Sequence, residues 1–381
     1  MRRESSVSSE ITKKNEREIS RLLLNEIKKI SSARKKERKK TLRLMEVCGT
    51  HTVSIFRSGL RHLLKDAIDL VSGPGCPVCV TPDSYVDTAI FYAAMEDVII
   101  ATFGDMMKVP GTASSLAKAK AAGGDVRVIY SPLDAIAVAK ENPSKKVVFL
   151  AVGFETTIPT TAAAVLQAEK EGTENFFLLT AQKLVPPAMV ALLESENADI
   201  DGFILPGHVS AVTGSQEFSF LPEKYNLPGV VTGFSTAELI RGIYRLARMA
   251  ASGEARVENE YRSVVRSEGN PVAKNLTAKV FETENAEWRG LGIISASGLK
   301  LNGEYRRFDF SVLRPADVSR VSPEKKGCLC GDVLRGKVIP ANCPLFGKAC
   351  VPEHAAGPCM VSAEGVCAAW FKYGGGVFDY G

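Results

Sequence analysis

Nine cysteines are spread so unevenly along this chain of 381 residues that they mark where chemistry can occur. Cys48, Cys76 and Cys79 lie early, none falls between Val80 and Gly327, and six follow from Cys328 to Cys367. In Cys76-Pro77-Val78-Cys79 two residues separate the thiols, a spacing that suits a redox disulfide of the thioredoxin-like kind or two ligands to one metal. A structural zinc would need two more ligands, which Cys48 and His51 could supply, but the glycines around both segments suit exchange better than a closed tetrahedral site. Late in the chain, Cys328, Cys343, Cys350 and Cys367 are separated by fourteen, six and sixteen residues, with Pro344 and Pro352 close behind two of them. Four soft thiolates held by loops fit an iron–sulfur cluster. The same four could hold a structural zinc, and the lack of paired Cys-x-x-Cys knuckles among them favours iron. Cys330 and Cys359 are left over, a pair able to form a redox disulfide beside the cluster.

Other reactive side chains sit where strands should end. Met45-Glu46-Val47 leads into Cys48-Gly49-Thr50-His51, Val71-Ser72 into Gly73-Pro74-Gly75-Cys76, and Phe103 into Gly104-Asp105. Val152 leads into Gly153-Phe154-Glu155-Thr156-Thr157, and Leu205 into Pro206-Gly207-His208. In open parallel sheets ligands gather outside the carboxyl ends of strands, so these loops are candidate site loops. Singly, His51 and His208 read equally as hydrogen-bonded structural histidines, and Glu155 as a cap.

The elements that must position these loops are short apolar runs alternating with helical stretches, the pattern of a parallel α/β sheet. Strands are expected at 68–72, 98–103, 126–130, 147–152, 176–180, 202–205 and 230–232, apolar on both faces. Helices are expected at 112–122, 133–139, 160–170, 187–194 and 236–251. The Lys-rich, Pro-containing stretch 141–146 suggests a boundary between two similar halves facing each other. After Ala251 the segments become charged and Gly-punctuated, with short strands expected at 278–281 and 292–296, so a third, α+β unit carries the late cysteines. The expected domains are a basic extension over 1–43, α/β domains over 44–145 and 146–252, and a C-terminal domain over 253–381.

Composition narrows the function. At 45% hydrophobic and 24% charged the chain is globular, and the apolar run from Tyr85 to Ala101 is broken by Asp87, Glu96 and Asp97 well short of a bilayer span. No apolar signal region follows the first basic residues, so a cytoplasmic protein is expected. The net charge of +5 divides into +9 over residues 1–43, from fifteen Lys and Arg against six Glu, and −4 over the rest. That lead carries no aromatic residue to stack on bases, so no nucleic-acid partner is expected. It reads as a solvated helix whose stripe of Ile19, Leu22, Leu23, Ile27 and Ile30 packs on the body or on a partner. There is no GxxxxGK[ST] phosphate loop, and nucleotide hydrolysis is unsupported.

Taken together, MEVCGTHT (45–52), GPGCPVC (73–79), TFGDMMKVPG (102–111), GFETTIP (153–159), PGHVSAVTG (206–214) and the late CLCGDVLRG, CPLFGKAC and GPCMVSAEGVCAAW segments closely resemble the HypD family of hydrogenase maturation proteins. The resemblance runs in family order over about residues 44–375. It implies two Rossmann-like parallel-sheet domains facing a cleft, plus a C-terminal α+β domain with a [4Fe-4S] cluster. It further implies a role in assembling the Fe(CN)2CO group of [NiFe]-hydrogenase with the small chaperone HypC and the cyanide donor HypE, in a complex of the three. By that resemblance Cys48 holds the iron under assembly, Cys76 and Cys79 are a redox pair, and Cys328, Cys343, Cys350 and Cys367 bind the cluster. Cys330 and Cys359 would relay electrons between cluster and cleft, while Thr50, His51, Asp105, Glu155 and His208 fall in family motifs. Two departures stand out: Ser235 in GFSTAEL replaces an expected carboxylate, and the basic extension is longer than the family needs. The same cysteines also suit an iron–sulfur thiol–disulfide reductase acting on proteins, which would not need the Thr-rich CGTHT and GFETT loops. A purely structural zinc-binding interaction module is the third reading.

Overall fold

The computed structural model describes residues 2–196, 198–316 and 327–374, with side chains from residue 15 onward. Residues 317–326 and 375–381 of the expected C-terminal domain lie outside the described residues. In chain order the strands are β1 (Leu42–Glu46), β2 (Ile68–Ser72), β3 (Val98–Thr102), β4 (Val126–Val128), β5 (Lys146–Gly153) and β6 (Phe176–Gln182). β7 (Gly202–Pro206), β8 (Gly229–Thr232), β9 (Val257–Asn259), β10 (Phe281–Trp288) and β11 (Gly292–Leu301) follow.

Two compact units emerge, and both are discontinuous in sequence. The first combines Met1–Gly73 with Glu196–Gly269, the second Pro74–Ser195 with Asn270–Gly381. This corrects the expected division between residues 145 and 146: β3 pairs with β5 in parallel, Val98 opposite Lys146, so the 141–146 stretch lies inside one sheet. The hydrophobic pattern reported most of the strands but not their neighbours.

The first unit holds an all-parallel sheet in the order β2-β1-β7-β8-β9. Leu42, Leu44, Ile68, Leu70, Ile204 and Val230 form one side of its core. The helix Thr236–Ser252 presents Leu239, Ile240, Ile243, Leu246 and Ala247 to it at helical spacing. That helix starts on a capping box: Ser235 accepts from Glu238 N, and the Glu238 carboxylate accepts from Ser235 N. Ser235 therefore has a local structural role, worth about 1 kcal/mol, and a carboxylate is present three residues later. The basic extension forms the helix Arg2–Arg38, and its register corrects the expected stripe. Ile27 is fully buried with Leu23 and Leu24 packed beside the core, whereas Ile19 and Leu22 are more than half exposed. Arg34, almost fully buried, pairs with Asp201 at 2.5 Å.

The second unit holds an all-parallel sheet in the order β4-β3-β5-β6 and the antiparallel hairpin β10–β11. Phe281, Leu299 and Leu301 of the hairpin share a core with Val147, Phe149, Phe176 and Leu178 of the sheet. The strand expected at 278–281 begins only at Phe281, because Asn270 caps and Pro271 opens a helix over Pro271–Val280. Among the described residues, no helix is long and apolar enough to cross a membrane.

Candidate functional site

Both parallel sheets have a point where strand order reverses. In the first, β1 lies between β2 and β7; in the second, β3 lies between β4 and β5. Helices leave the sheet in opposite directions there and open a crevice at the carboxyl ends. Among the sequence-predicted residues, Cys48, Thr50, His51 and His208 follow β1 and β7 at the first of these points, and Asp105 and Glu155 follow β3 and β5 at the second.

In the first unit, β1 ends at Glu46 and Cys48 takes the N-cap of the helix Gly49–Arg57, its backbone extended at φ −148° and ψ 120°. Its carbonyl accepts from Thr52 N at 3.0 Å, starting the helix, and Thr50 stands in the first turn. The buried Glu46 accepts from the Thr52 hydroxyl at 2.8 Å. Burial pushes the Glu46 carboxyl up to about 8, against hydrogen bonds from Ser72 and Thr52 and the nearby Arg61. Sequence reading did not single out Glu46; its signal is a carboxylate at the end of an otherwise apolar strand.

His51 is fully buried, its Nε2 3.2 Å from Thr232 O and 3.1 Å from Gly233 O. Two carbonyls can only accept, so Nε2 carries the proton and Nδ1 keeps its lone pair, without a partner among the described residues. Phe234 contacts two predicted residues, stacked on His208 with ring centroids 4.1 Å apart and tilted against His51 at 4.6 Å. His208 follows β7 through Gly207, where an added Cβ would meet Thr232 O at 2.6 Å. Cys48, His51 and His208 thus share one carboxyl edge.

Burial lowers the His51 imidazole from 6.5 to about 4, against the two carbonyl contacts that favour the charged ring. The unfolded chain takes up a proton below about 6.5 and the folded one only near 4, so this ring's contribution to stability is complete above 6.5 and is lost as pH falls toward 4. At about 1.4 kcal/mol per unit, the loss is of the order of 3 kcal/mol. His51→Gln, whose amide can reach the same carbonyls, should flatten that limb of a Tm profile against pH; an unchanged slope would show that His51 is not the titrating group.

In the second unit, β3 ends into the 3-10 turn Gly104–Lys108, which exposes Asp105. β5 ends into Glu155, which is buried and accepts from Val185 N at 2.8 Å. Glu155 therefore caps the helix Val185–Leu193, as the capping reading expects, though it reaches a helix distant in sequence. Cys76 and Cys79 are buried at disulfide distance, with Cα atoms 5.2 Å apart. Cys79 N donates to Cys76 Sγ at 3.2 Å, and Ser362 Oγ lies 3.4 Å from the same sulfur.

The late cysteines do gather. Cys328, Cys343, Cys350 and Cys367 line one small space with Cys330 and Cys359. Cys330 and Cys359 lie with sulfurs 3.3 Å apart, and the hydrogen bond from Cys359, helped by Arg289, holds the Cys330 thiol below its ordinary value. Arg289 is itself fixed by an ion pair with Asp83 and by its N–H to Val80 O at 2.9 Å. Burial pushes Cys328 up to about 11, and burial with the charges of the neighbouring thiols pushes Cys367 up as well. Among the described residues, no group of three or more Cys, His, Asp or Glu is arranged to hold a single metal ion.

A family profile described as "HypD: Hydrogenase formation hypA family" matches residues 19–374. The chain is 46% identical over 334 residues to hydrogenase maturation factor HypD of Escherichia coli K12, covering 87% of this chain and 89% of that one. It is 45% identical over 358 residues to hydrogenase maturation factor HypD of Rhodobacter capsulatus, covering 93% and 95%. It is also 45% identical over 339 residues to hydrogenase expression/formation protein HupD of Azotobacter chroococcum, covering 87% and 89%.

Proposed function

The chain belongs to the HypD family of hydrogenase maturation factors, and from that premise we propose that it is the scaffold and electron source on which the Fe(CN)2CO group of [NiFe]-hydrogenase is built, working with HypC and HypE. The observation that carries this reading is the place of Cys48: a buried cysteine capping a helix at the strand-order reversal, beside a neutral His51. Low-spin iron bearing cyanide and carbon monoxide takes a soft thiolate, which Cys48 supplies. The first-turn N–H groups and the Thr50 hydroxyl are donors for cyanide nitrogens. Turning a delivered cyanyl group into iron-bound cyanide consumes two electrons, the number a Cys76–Cys79 dithiol yields on closing to a disulfide with loss of two protons.

Cys328, Cys343, Cys350 and Cys367 would hold a [4Fe-4S] cluster, which when bound supplies single reducing equivalents. Two observations support the fit. Cys328, Cys343, Cys350 and Cys367 line one small space together, as four ligands of a single cluster would. Burial first, and then the charges of the neighbouring thiols, raise Cys367, and a cationic iron core would offset both. The neighbouring Cys330–Cys359 pair would pass electrons toward Cys76–Cys79.

The test is an infrared spectrum, with iron and sulfide analysis, of the anaerobically purified protein bound to its small chaperone. Carbonyl and cyanide stretches of metal-bound ligands are expected, with cluster iron and sulfide in addition. Cluster iron with no such bands, under conditions that support maturation, would sink the scaffold reading. The two close cysteine pairs also support a thiol–disulfide reductase; turnover of a protein disulfide with no maturation partner present would favour it.

A further inference from the structure

We propose that Ser362 is the proton relay of the Cys76 thiol, joining this buried sulfur to the exposed Asp105 carboxylate. The inference rests on the redox reading of the Cys76–Cys79 pair and adds how its protons move. Cys76 and Cys79 are 3% and 1% exposed, yet each cycle between dithiol and disulfide moves two protons with two electrons. A path out is needed, and the second unit contains one. Ser362 Oγ is 3.4 Å from Cys76 Sγ and 3.4 Å from Asp105 Oδ2. The hydroxyl is itself 2% exposed and accepts from Glu364 N at 3.3 Å. A serine has one proton to give and two lone pairs to fill. Accepting from Glu364 N and from the Cys76 thiol, it has its own proton left to donate to Asp105. The 3.4 Å oxygen pair is long for a resting contact and shortens as a proton passes.

Local backbone structure holds both ends of this path. Ser362 ends the short helix Pro358–Val361 three residues after Cys359, in a turn so close that an added Cβ on Gly365 would meet Cys359 O at 2.1 Å. Asp105 is carried by the turn that leaves β3. Cys79 N donates to Cys76 Sγ at 3.2 Å, a contact that would stabilise a Cys76 thiolate once the pair is reduced.

With an acceptor disulfide the step balances. The Cys76 thiol passes its proton to Ser362 Oγ while the Ser362 proton moves to Asp105. The Cys76 thiolate then attacks one acceptor sulfur, forming a mixed disulfide and expelling the other as thiolate, which takes the proton from Asp105 by way of solvent. Cys79, losing its proton to the second departing thiolate, closes the Cys76–Cys79 disulfide. Two protein thiols are oxidised and one acceptor disulfide is reduced.

The experiment uses the reduced full-length protein under anaerobic conditions with dithionitrobenzoate as acceptor. The rate of exchange at Cys76 is followed by quench and peptide mass spectrometry in light and heavy water. Ser362→Ala and Asp105→Asn should each slow exchange at neutral pH roughly tenfold to a hundredfold and lose the solvent isotope effect. The double variant should be no slower than either single one, because both interrupt one path, and Ser362→Thr should retain the rate. Wild-type exchange in Ser362→Ala, additive losses in the double variant, or no exchange at Cys76 in the unmodified protein would overturn the relay. If Ser362→Ala does not fold, Asp105→Asn, on an exposed turn, decides alone. Trapping the oxidation state of Cys76–Cys79 before and after a round of cyanide attachment tests the redox reading separately: a pair that never changes state ends that reading, while the exchange rates alone judge the relay.

Discussion

Cys48→Ala is expected to abolish the metal-bound carbonyl and cyanide bands of the protein–chaperone complex and to reduce hydrogenase maturation to background. The change removes the one soft anionic donor at the strand-order reversal of the first unit, and neighbouring groups cannot replace it. His51 offers a nitrogen lone pair, but its ring is held by two backbone carbonyls and packed on Phe234. Glu46 is buried and engaged by the Thr52 hydroxyl. Alanine keeps most of the local structure, because the contact that starts the helix uses the Cys48 carbonyl. The far-ultraviolet spectrum should therefore be unchanged and the melting temperature nearly so. Retention of the bands in a folded Cys48→Ala protein would place the iron on another ligand and overturn the assignment.

If Cys328, Cys343, Cys350 and Cys367 hold the proposed cluster, Cys328→Ala is expected to remove it and the electron supply to Cys76–Cys79 with it. The cysteine-rich segment is tied together by short helices and turns, and metal-binding free energy at such a site becomes folding free energy. Loss of one ligand should lower bound iron and sulfide to a small fraction of the unmodified level, bleach the brown colour, and lower the melting temperature by several degrees. Reduction of the Cys76–Cys79 disulfide by a one-electron donor should fall to background, while a chemical dithiol should still reduce it. A colourless, zinc-loaded protein before substitution would point to a structural metal, and ligated iron forming at the normal rate in Cys328→Ala would exclude electron supply through the cluster.

The strands were legible because segments buried on both faces must be apolar throughout. β2 lies where the sequence places it, β3, β7 and β8 differ from expectation by one residue at one end, and β5 extends one residue further at both ends. β1 was visible only as the strand end at Met45–Val47, and β9, three half-buried residues, gave no apolar signal. The division into units was not legible, since β7 returns to pair with β1, Leu44 opposite Gly202, after a long excursion through the other sheet. Periodicity reports what one segment buries, while the choice of neighbour follows from the summed packing of distant segments.

The candidate site divides in the same way. Thiols, imidazoles and glycine turns at strand ends have few ordinary structural uses in combination, so residue type and spacing alone were enough to propose where the chemistry lies and that thiols carry it. Only tertiary structure could seat Phe234 against His51 and His208, bring Cys330 within 3.3 Å of Cys359, and set Ser362 against Cys76. Serine and phenylalanine are common in loops and cores and carry no chemical signature of their own. Their roles arise from which atoms lie within hydrogen-bonding or ring-contact distance, and that is settled by packing between segments up to 286 positions apart in sequence.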